Sequence, residues 1–465
     1  MASNLAGGKI MNQVLQATYV AFRALMGAGA VVILPIIITI VGLIVRLKFS
    51  KALKAGLTVG IGFAGINLVI NLLSTNLGPA AKAMVQNFGI KLDILDVGWG
   101  AIAAVTWSSP IIPILIGVIF LTNILLLVLK ASDTLDVDIW NYHHMAIVGV
   151  MVYFVTNNLI YASLAALFMA IITFKLSDWS APLVEKYFGL PSISLPTMSA
   201  LSSLLIAVPM NWLLDKIPGV NKINFSIKDA QKKFGIFGEP IMLGFILGAV
   251  IGLLARYPVD KVLSLAVYMA AVLVLIPKMT ALFVEGLMPI SEAATKFTQE
   301  RFKGRKFLIG LDAAVIVGDQ SVITTALIVT PITILMAAVL PGNRVLPFAD
   351  LAVITFRVAM IVALCNGNLF KSIIMGIFTT GAILLAGTAT SPVLTALAKS
   401  TGLNLANGSQ ISCFAATSLS VSYLVYEVFV SNVMITLPIL IVVLAACWYY
   451  FGHVRKLKGI MEEAS

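Results

Sequence analysis

Residues 110–129 read PIIPILIGVIFLTNILLLVL, twenty positions without a charge. Wound as an α-helix, such a run is about 30 Å long, the thickness of the hydrocarbon core of a bilayer. Runs of the same kind are centred on Val31 to Val45, Leu243 to Ala255, Val262 to Pro277, Ile323 to Leu340 and Val433 to Tyr450. Of the 465 residues, 60% are apolar and 11% charged, whereas a soluble domain carries about 25% charged residues. Too little polar surface remains to solvate a water-exposed fold. The sequence therefore predicts an all-α, polytopic membrane protein.

Hydropathy places eleven spans at roughly 20–46, 54–75, 110–130, 139–157, 159–175, 239–255, 260–278, 321–341, 348–366, 369–390 and 433–452. The stretch 192–214, with Pro196 and Pro209, is either broken or interfacial. Basic residues cluster at Lys48 to Lys54, at Lys175 and Lys186, from Lys216 to Lys233, from Lys296 to Lys306 and in the tail from Arg455 to Lys458. With the N-terminus outside and 192–214 not crossing, every cluster falls in the cytoplasm, as the positive-inside rule requires. The tail is then cytoplasmic too. That asymmetry accounts for the net charge of +11, and no basic stripe interleaved with aromatics points to nucleic acid.

Other chemistries find no support. Cys365, Cys413 and Cys447 are scattered in apolar surroundings, which suits neither a disulfide framework nor a metal site. Met1 to Ala17 is polar and rich in small residues, unlike a cleavable signal. No glycine-rich loop ends in Lys-Ser or Lys-Thr, so there is no phosphate-cradling motor. No extramembrane stretch is long enough for a catalytic domain. Energy must come from an ion gradient or from a separate protein.

The halves resemble one another. Val41-Gly42-Leu43-Ile44-Val45-Arg46 returns as Ile251-Gly252-Leu253-Leu254-Ala255-Arg256, 210 residues later, and Lys51 with Lys261 and Pro79 with Pro289 keep that spacing. Leu95-Asp96 answers Leu311-Asp312. Each copy runs two spans, an amphipathic stretch, a short interrupted segment and three spans. Five crossings is odd, so a second copy is inserted upside down, the inverted-repeat plan of transporters. The expected organisation is a first repeat at 1–190, a connecting segment with a basic cytoplasmic loop at 191–238, a second repeat at 239–400, and a final helix with tail at 401–465.

The interrupted segments run from Asp96 through Trp107-Ser108-Ser109-Pro110 and from Ile309 through Asp312 to Asp319-Gln320-Ser321. Both are rich in glycine and small polar residues and too short to cross. Irregular backbone at membrane depth must border protein or a water-filled cavity. Each therefore reads as a re-entrant hairpin, and paired hairpins point to the substrate site. At the fourth span stands Asp138-Ile139-Trp140-Asn141-Tyr142-His143-His144. Amide and imidazole groups there can donate to and accept from hydroxyls. His143 and His144 point about 100° apart on a helix, so one of them reaches a cavity, and the pair cannot converge on a metal. Asp312, Asp319, Arg357 and Glu427 are intramembrane charges and so functional candidates; Arg357 reads as the structural partner of a carboxylate. For Asn157, Asn158, Asn366 and Asn368 at span ends, helix capping is the competing role.

Several strings together resemble the galactitol-type IIC subunits of bacterial sugar phosphotransferase systems. They are Lys54-Ala55-Gly56-Leu57 with Gly60-Ile61-Gly62-Phe63, Leu77-Gly78-Pro79-Ala80-Ala81-Lys82-Ala83-Met84, Leu95-Asp96-Val97-Gly98-Trp99 and Val137-Asp138-Ile139-Trp140-Asn141. Phe234-Gly235 with Phe237-Gly238-Glu239-Pro240, Phe307-Leu308-Ile309-Gly310-Leu311-Asp312, Val339 to Asp350 and Gly367-Asn368-Leu369-Phe370 complete the set. The likeness holds in register over roughly 20–375 and weakens from Gly376 to Val433. It implies a homodimer of elevator-type subunits in the bacterial plasma membrane, each with a core domain holding two hairpins that slides against a dimerisation domain. It also implies that a polyol or sugar crosses and is phosphorylated by a phosphocysteine on a separate IIB subunit, itself supplied by IIA.

Carried over by their motifs, Asp96, Trp107, His144, Asp312 and Asn368 are expected at the substrate, joined by Ser108 and Asn141. His143, Asp319 and Gln320 depart from the galactitol pattern and are positions where selectivity would be tuned. No catalytic residue, metal or cofactor is called for. Two rival readings remain: an ion-coupled transporter using Asp312 or Asp319, and a membrane-embedded enzyme, for which no constellation is found.

Overall fold

A backbone in hydrocarbon has no water to bond to, so it must satisfy its own N–H and C=O groups, and helices do this within one segment. The computed structural model describes residues 30–87, 92–107, 109–136, 138–220, 223, 240–301, 307–347, 349–351, 353–400, 410–431 and 433–454, and most of them are helical. In chain order come α1 (Ala30–Ile44), α2 (Phe49–Asn87), β1 (Ile94–Asp96), α3 (Trp99–Trp107), α4 (Ile112–Val128), β2 (Thr134–Asp136), α5 (Ile139–Thr156), α6 (Leu159–Phe188), β3 (Ile193–Ser194), α7 (Met198–Leu201) and α8 (Leu204–Lys216). The rest are α9 (Pro240–Leu254), α10 (Val259–Arg301), β4 (Leu308–Gly310), α11 (Gln320–Val339), β5 (Val345–Leu346), α12 (Ile354–Leu364), α13 (Leu369–Ser400), β6 (Gln410–Ser412), α14 (Ser420–Val430) and α15 (Val433–Tyr449). Single 3₁₀ turns at Ala313–Val315 and Ala349–Leu351 precede α11 and α12.

Among the described residues, five helical stretches are long and apolar enough to cross a membrane: Leu159–Phe188, Met198–Lys216, Gln320–Val339, Leu369–Ser400 and Val433–His453. Leu121, Val128, Met434 and Val442 are largely exposed, as side chains facing lipid are. The doubtful stretch 192–214 is helical for most of its length, interrupted at Ser202–Ser203 between α7 and α8. The spans expected at 54–75 and 260–278 do not end where hydropathy falls. α2 and α10 continue through the amphipathic stretch as helices of 39 and 43 residues, because the two helices pack along one another. At Gly286 a Cβ would stand 2.8 Å from the Val59 amide nitrogen and 2.9 Å from the Ala55 carbonyl, so the α2 backbone lies where a side chain would be.

The all-α expectation misses six short strands in two sheets. Their orders are β5-β1-β6 and β2-β4-β3, with every pairing parallel. Strands of two or three residues are too short for an alternating pattern to show in sequence. β1 from the first half of the chain lies between two strands of the second half, and β4 from the second half lies between two of the first. The entry to the first sheet is tied by Arg344, which forms an ion pair with Asp93 and donates to Gln410 Oε1 at 3.3 Å. The Arg344 guanidinium holds the Asp93 carboxyl below its usual range. At the second sheet, Asp178 Oδ1 on α6 accepts from the Ser132 hydroxyl, the Asp133 and Thr134 amides and the Thr134 hydroxyl at 2.8–3.1 Å.

Substituting Gly286→Val forces α10 away from α2 and is expected to cost about 1–3 kcal/mol. The measurement is the thermal midpoint of the detergent-purified protein. Gly100→Ala, where nothing stands within 4 Å of the new methyl, is expected to leave that midpoint unchanged.

Candidate functional site

In parallel sheets the C-terminal ends of all strands lie together, and the helices that follow begin there with their N–H groups unpaired. Both sheets carry polar residues at these ends. Asp96 and Ser412 close β1 and β6; Asp136 and Ser194 close β2 and β3. The result is two buried carboxylate hubs, each assembled from both halves of the chain.

In the first hub, Asp96 and Asp350 are fully buried. Asp96 accepts from the amides of Asp350 (2.8 Å), Phe414 (3.3 Å) and Gly98 (3.4 Å). Asp350 accepts from the amides of Trp99 (2.9 Å) and Ala415 (3.0 Å). Gly98 has φ +84°, and a Cβ there would lie 2.8 Å from that of Ala349, so glycine lets the chain turn into α3 beside Asp350. Arg357 on α12 is buried, donates to Thr380 Oγ1 at 3.2 Å and lies over the Phe414 ring at 5.5 Å. The carboxylates that act on it electrostatically are Asp350 and Asp96, which fits its expected structural role.

The second hub gathers Asp136, Asp138, Asn141, Thr197 and Asp312. Asn141 donates through Nδ2 to Asp136 Oδ1 at 3.0 Å, and Thr197 donates to Asn141 Oδ1 at 2.8 Å. The same hydroxyl accepts from the Ala313 amide at 2.8 Å and lies 3.4 Å from Asp312 Oδ2. Asp138 caps α5 through the Trp140 amide at 3.0 Å, and Asp312 caps its 3₁₀ turn through the Ala314 amide at 2.7 Å. Three carboxylates meet here, and among the described residues no lysine or arginine forms an ion pair with them. Backbone amides at helix starts take the place of cations. His143 and His144 follow on α5, buried, with ring centroids 5.4 Å apart. Trp99 on α3 meets Trp140 on α5 edge to face at 6.1 Å, which brings the hubs into contact.

Five buried atoms around the second hub have no hydrogen-bond partner: Asp136 Oδ2, Trp140 Nε1, both nitrogens of His143 and His144 Nδ1. Such groups are costly unless something else fills them. Among the described residues, no group of three or more histidine, cysteine, aspartate or glutamate side chains is arranged to hold a metal ion.

Of the residues expected at the substrate, Asn141 and Asp312 meet in the second hub, His143 and His144 follow it, and Asp96 lies in the first. Trp107 ends α3, and Ser108 lies outside the described residues. Asp319, Gln320 and Asn368 stand elsewhere. Asp319 caps α11 through the amides of Ser321 (2.9 Å) and Val322 (3.0 Å) and accepts from the Tyr187 hydroxyl at 3.3 Å, while Gln320 is exposed. Asn368 accepts from the Lys371 amide at 3.1 Å as cap of α13 and donates to the Ile223 carbonyl at 2.7 Å. Sequence reasoning missed Asp136, Thr197 and Asp350. The spacing Asp136-Val137-Asp138 at a span start was a usable signal; nothing local marks Thr197.

Comparison with known proteins gives a consistent result. The family model described as "PTS system sugar-specific permease component" matches residues 24–408. The chain is 40% identical over 407 residues to the "PTS system galactitol-specific EIIC component" of Escherichia coli K12, covering 88% of this chain and 90% of that protein. The O157:H7 counterpart matches equally. A "Putative permease IIC component" of the K12 strain is 39% identical over 399 residues, covering 86% and 91%.

Removing the buried cation tests the first hub. Arg357→Ala leaves Asp96 and Asp350 without a counter-charge and is expected to destabilise by about 3–5 kcal/mol, seen as a lower yield of folded protein and an earlier thermal midpoint.

Proposed function

Since the chain belongs to the sugar-specific permease components of the phosphotransferase system, we propose that its substrate is galactitol, held at the second hub. Membership makes the chain a membrane-embedded transport subunit for a sugar or polyol. The observation that carries the substrate reading is the set of unpartnered buried atoms at Asp136, Trp140, His143 and His144. A hydroxyl both donates and accepts, so a chain of them can satisfy a carboxylate oxygen, an indole N–H and imidazole nitrogens together. An anionic sugar would meet three carboxylates without a cation. A neutral polyol suits the site.

In this reading the chain presents substrate, and a phosphocysteine on IIB, charged through IIA, phosphorylates it on the cytoplasmic side. The chain's own Cys413 and Cys447 are buried, a poor setting for a nucleophile. The subunit is a homodimer working as an elevator, with the basic tail in the cytoplasm, which the distribution of lysine and arginine supports.

Two inverted repeats underlie this mechanism. Arg46 and Arg256, 210 residues apart, both turn with positive φ (68° and 55°) after α1 and α9. Asn158 and Asn368 cap α6 and α13 at the same spacing, and Pro182 and Pro392 lie at matching places inside those helices. The second copy, expected to end at 400, then takes in β6 and α14, which answer β3 and α7–α8.

The test is uptake of labelled galactitol by cells expressing the chain with and without a cognate IIB. Phosphorylated label is expected only with the partner. Free label accumulating without it, and lost when the ion gradient collapses, would replace this mechanism by ion coupling. Asp312→Asn keeps one cap acceptor and the fold but removes a hydroxyl-binding charge. It is expected to lower galactitol affinity by about tenfold or more, the worth of a hydrogen bond to a charged group, with an unchanged thermal midpoint.

A further inference from the structure

The likeness between the halves fails at one place, and the failure leaves a cavity. Spaced by the same 210 residues, Asn157 answers Gly367 and Tyr187 answers Leu397, while the place of Asp319 before α11 is taken before α4 by the apolar Ile111, two residues after Ser109. Around Tyr187 the space is filled. Its hydroxyl bonds Asp319, and it lies so close to Gly367 that a Cβ there would stand 2.9 Å from the phenolic oxygen. Around Leu397 the side chain is shorter and has no hydroxyl, and Ile111 stands in place of the aspartate. A cavity of about 460 Å³ opens there, lined by Ser109, Val150, Tyr153, Asn157, Leu397 and Ser400 among others. The two places lie at opposite ends of α6, which is 30 residues long and so about 45 Å from end to end.

The lining of the cavity points to its occupant. It contains no charged residue. The side chains of Ser109, Tyr153 and Asn157 form no hydrogen bond among the described residues, so hydroxyl, phenol and amide are available to a ligand. Val150, Tyr153 and Asn157 continue a helical stripe that begins at His143, since steps of three and four residues stay on one face. His143 lies seven residues, about 10 Å, below Val150 along α5 and has both ring nitrogens unpartnered. The same face of α5, packed in the core at Ala146 and Ile147, joins the cavity to His143 beside the second hub.

We propose that this cavity is an entry subsite for a neutral polyhydroxylated molecule, and that Tyr187 with Asp319 closes the matching opening at the other end of the molecule. The proposal rests on the reading of the chain as a polyol transporter. It adds Ser109, Tyr153, Asn157 and Ser400 as the groups that first meet the substrate, and Leu397 as the residue whose size keeps the way open.

Two measurements on the full chain in cells test it. Leu397→Tyr places at the open end the side chain that fills the closed one and is expected to reduce galactitol uptake about tenfold or more through overpacking of the route. Leu397→Met, close in volume, retains uptake, and membrane content of both variants is followed by immunoblot. Independently, Ser400→Cys is expected to react with a membrane-impermeant maleimide, and millimolar galactitol slows that reaction severalfold by occupying the site. Wild-type uptake by Leu397→Tyr, or labelling of Ser400→Cys that neither galactitol nor any other four- to six-carbon polyol slows, overturns the subsite. Absence of galactitol uptake by the unsubstituted chain with its IIB overturns the substrate reading instead. Protection of Ser400→Cys by a different polyol would then sustain the subsite on its own.

Discussion

Two buried aspartates, Asp96 and Asp350, hold the halves of this protein together, because neither can lose its water without finding N–H groups elsewhere. Both find them across the halves, Asp350 at the Trp99 amide that begins α3. Asp96 sits at the end of β1 but accepts from Asp350 and Phe414, more than two hundred residues onward. A buried carboxylate left short of donors is severely destabilising, so these bonds fix the junction between the halves more firmly than apolar packing, which lipid can replace.

The hubs share this construction and differ in charge. The first includes the cation Arg357, which donates to Thr380 and lies over the Phe414 ring, with Asp350 and Asp96 as the carboxylates that act on it. The second has carboxylates, an amide, a hydroxyl and two imidazoles, with its polarity incompletely satisfied inside the chain. Among the described residues, unpartnered buried atoms are more numerous around the second hub, five against Arg357 Nε at the first. On the proposed reading, the unfilled polarity of the second hub is what a neutral, hydroxyl-rich cargo would complete.

Much of this was legible in the sequence. Apolar runs such as 110–129 pointed to a membrane protein, and Asp312 and Arg357 stood out as charges at membrane depth. The strands were not legible, because β5 is two residues long and its partner β1 lies 251 positions away. Thr197 was invisible for a related reason: a threonine in a serine-rich stretch has no local mark, and its role comes from Ala313 and Asn141 arriving beside it. Asp319 stood out as a charge at membrane depth and Asn368 through the string Gly367-Asn368-Leu369-Phe370, with capping as its competing role; in the fold both residues cap a helix. The helices α2 and α10 outran their apolar runs because a helix needs a partner more than it needs oil.

The exchange of middle strands has a consequence for how the polypeptide is made. β1 emerges from the ribosome early, but its neighbours lie at residues 345–346 and 410–412. Until they arrive, Asp96 has neither Phe414 nor Asp350 to bond. The first half is therefore inserted with an unfinished sheet edge and an unsatisfied acid at membrane depth, and cannot mature alone. β4 closes the other sheet as soon as it is made, since β2 and β3 are already waiting. Assembly thus runs in a fixed order, with the sheet containing β1 sealed last, when β6 (Gln410–Ser412) is made. Once sealed, each half clasps a strand of the other, and neither can be withdrawn without first breaking the hub it encloses.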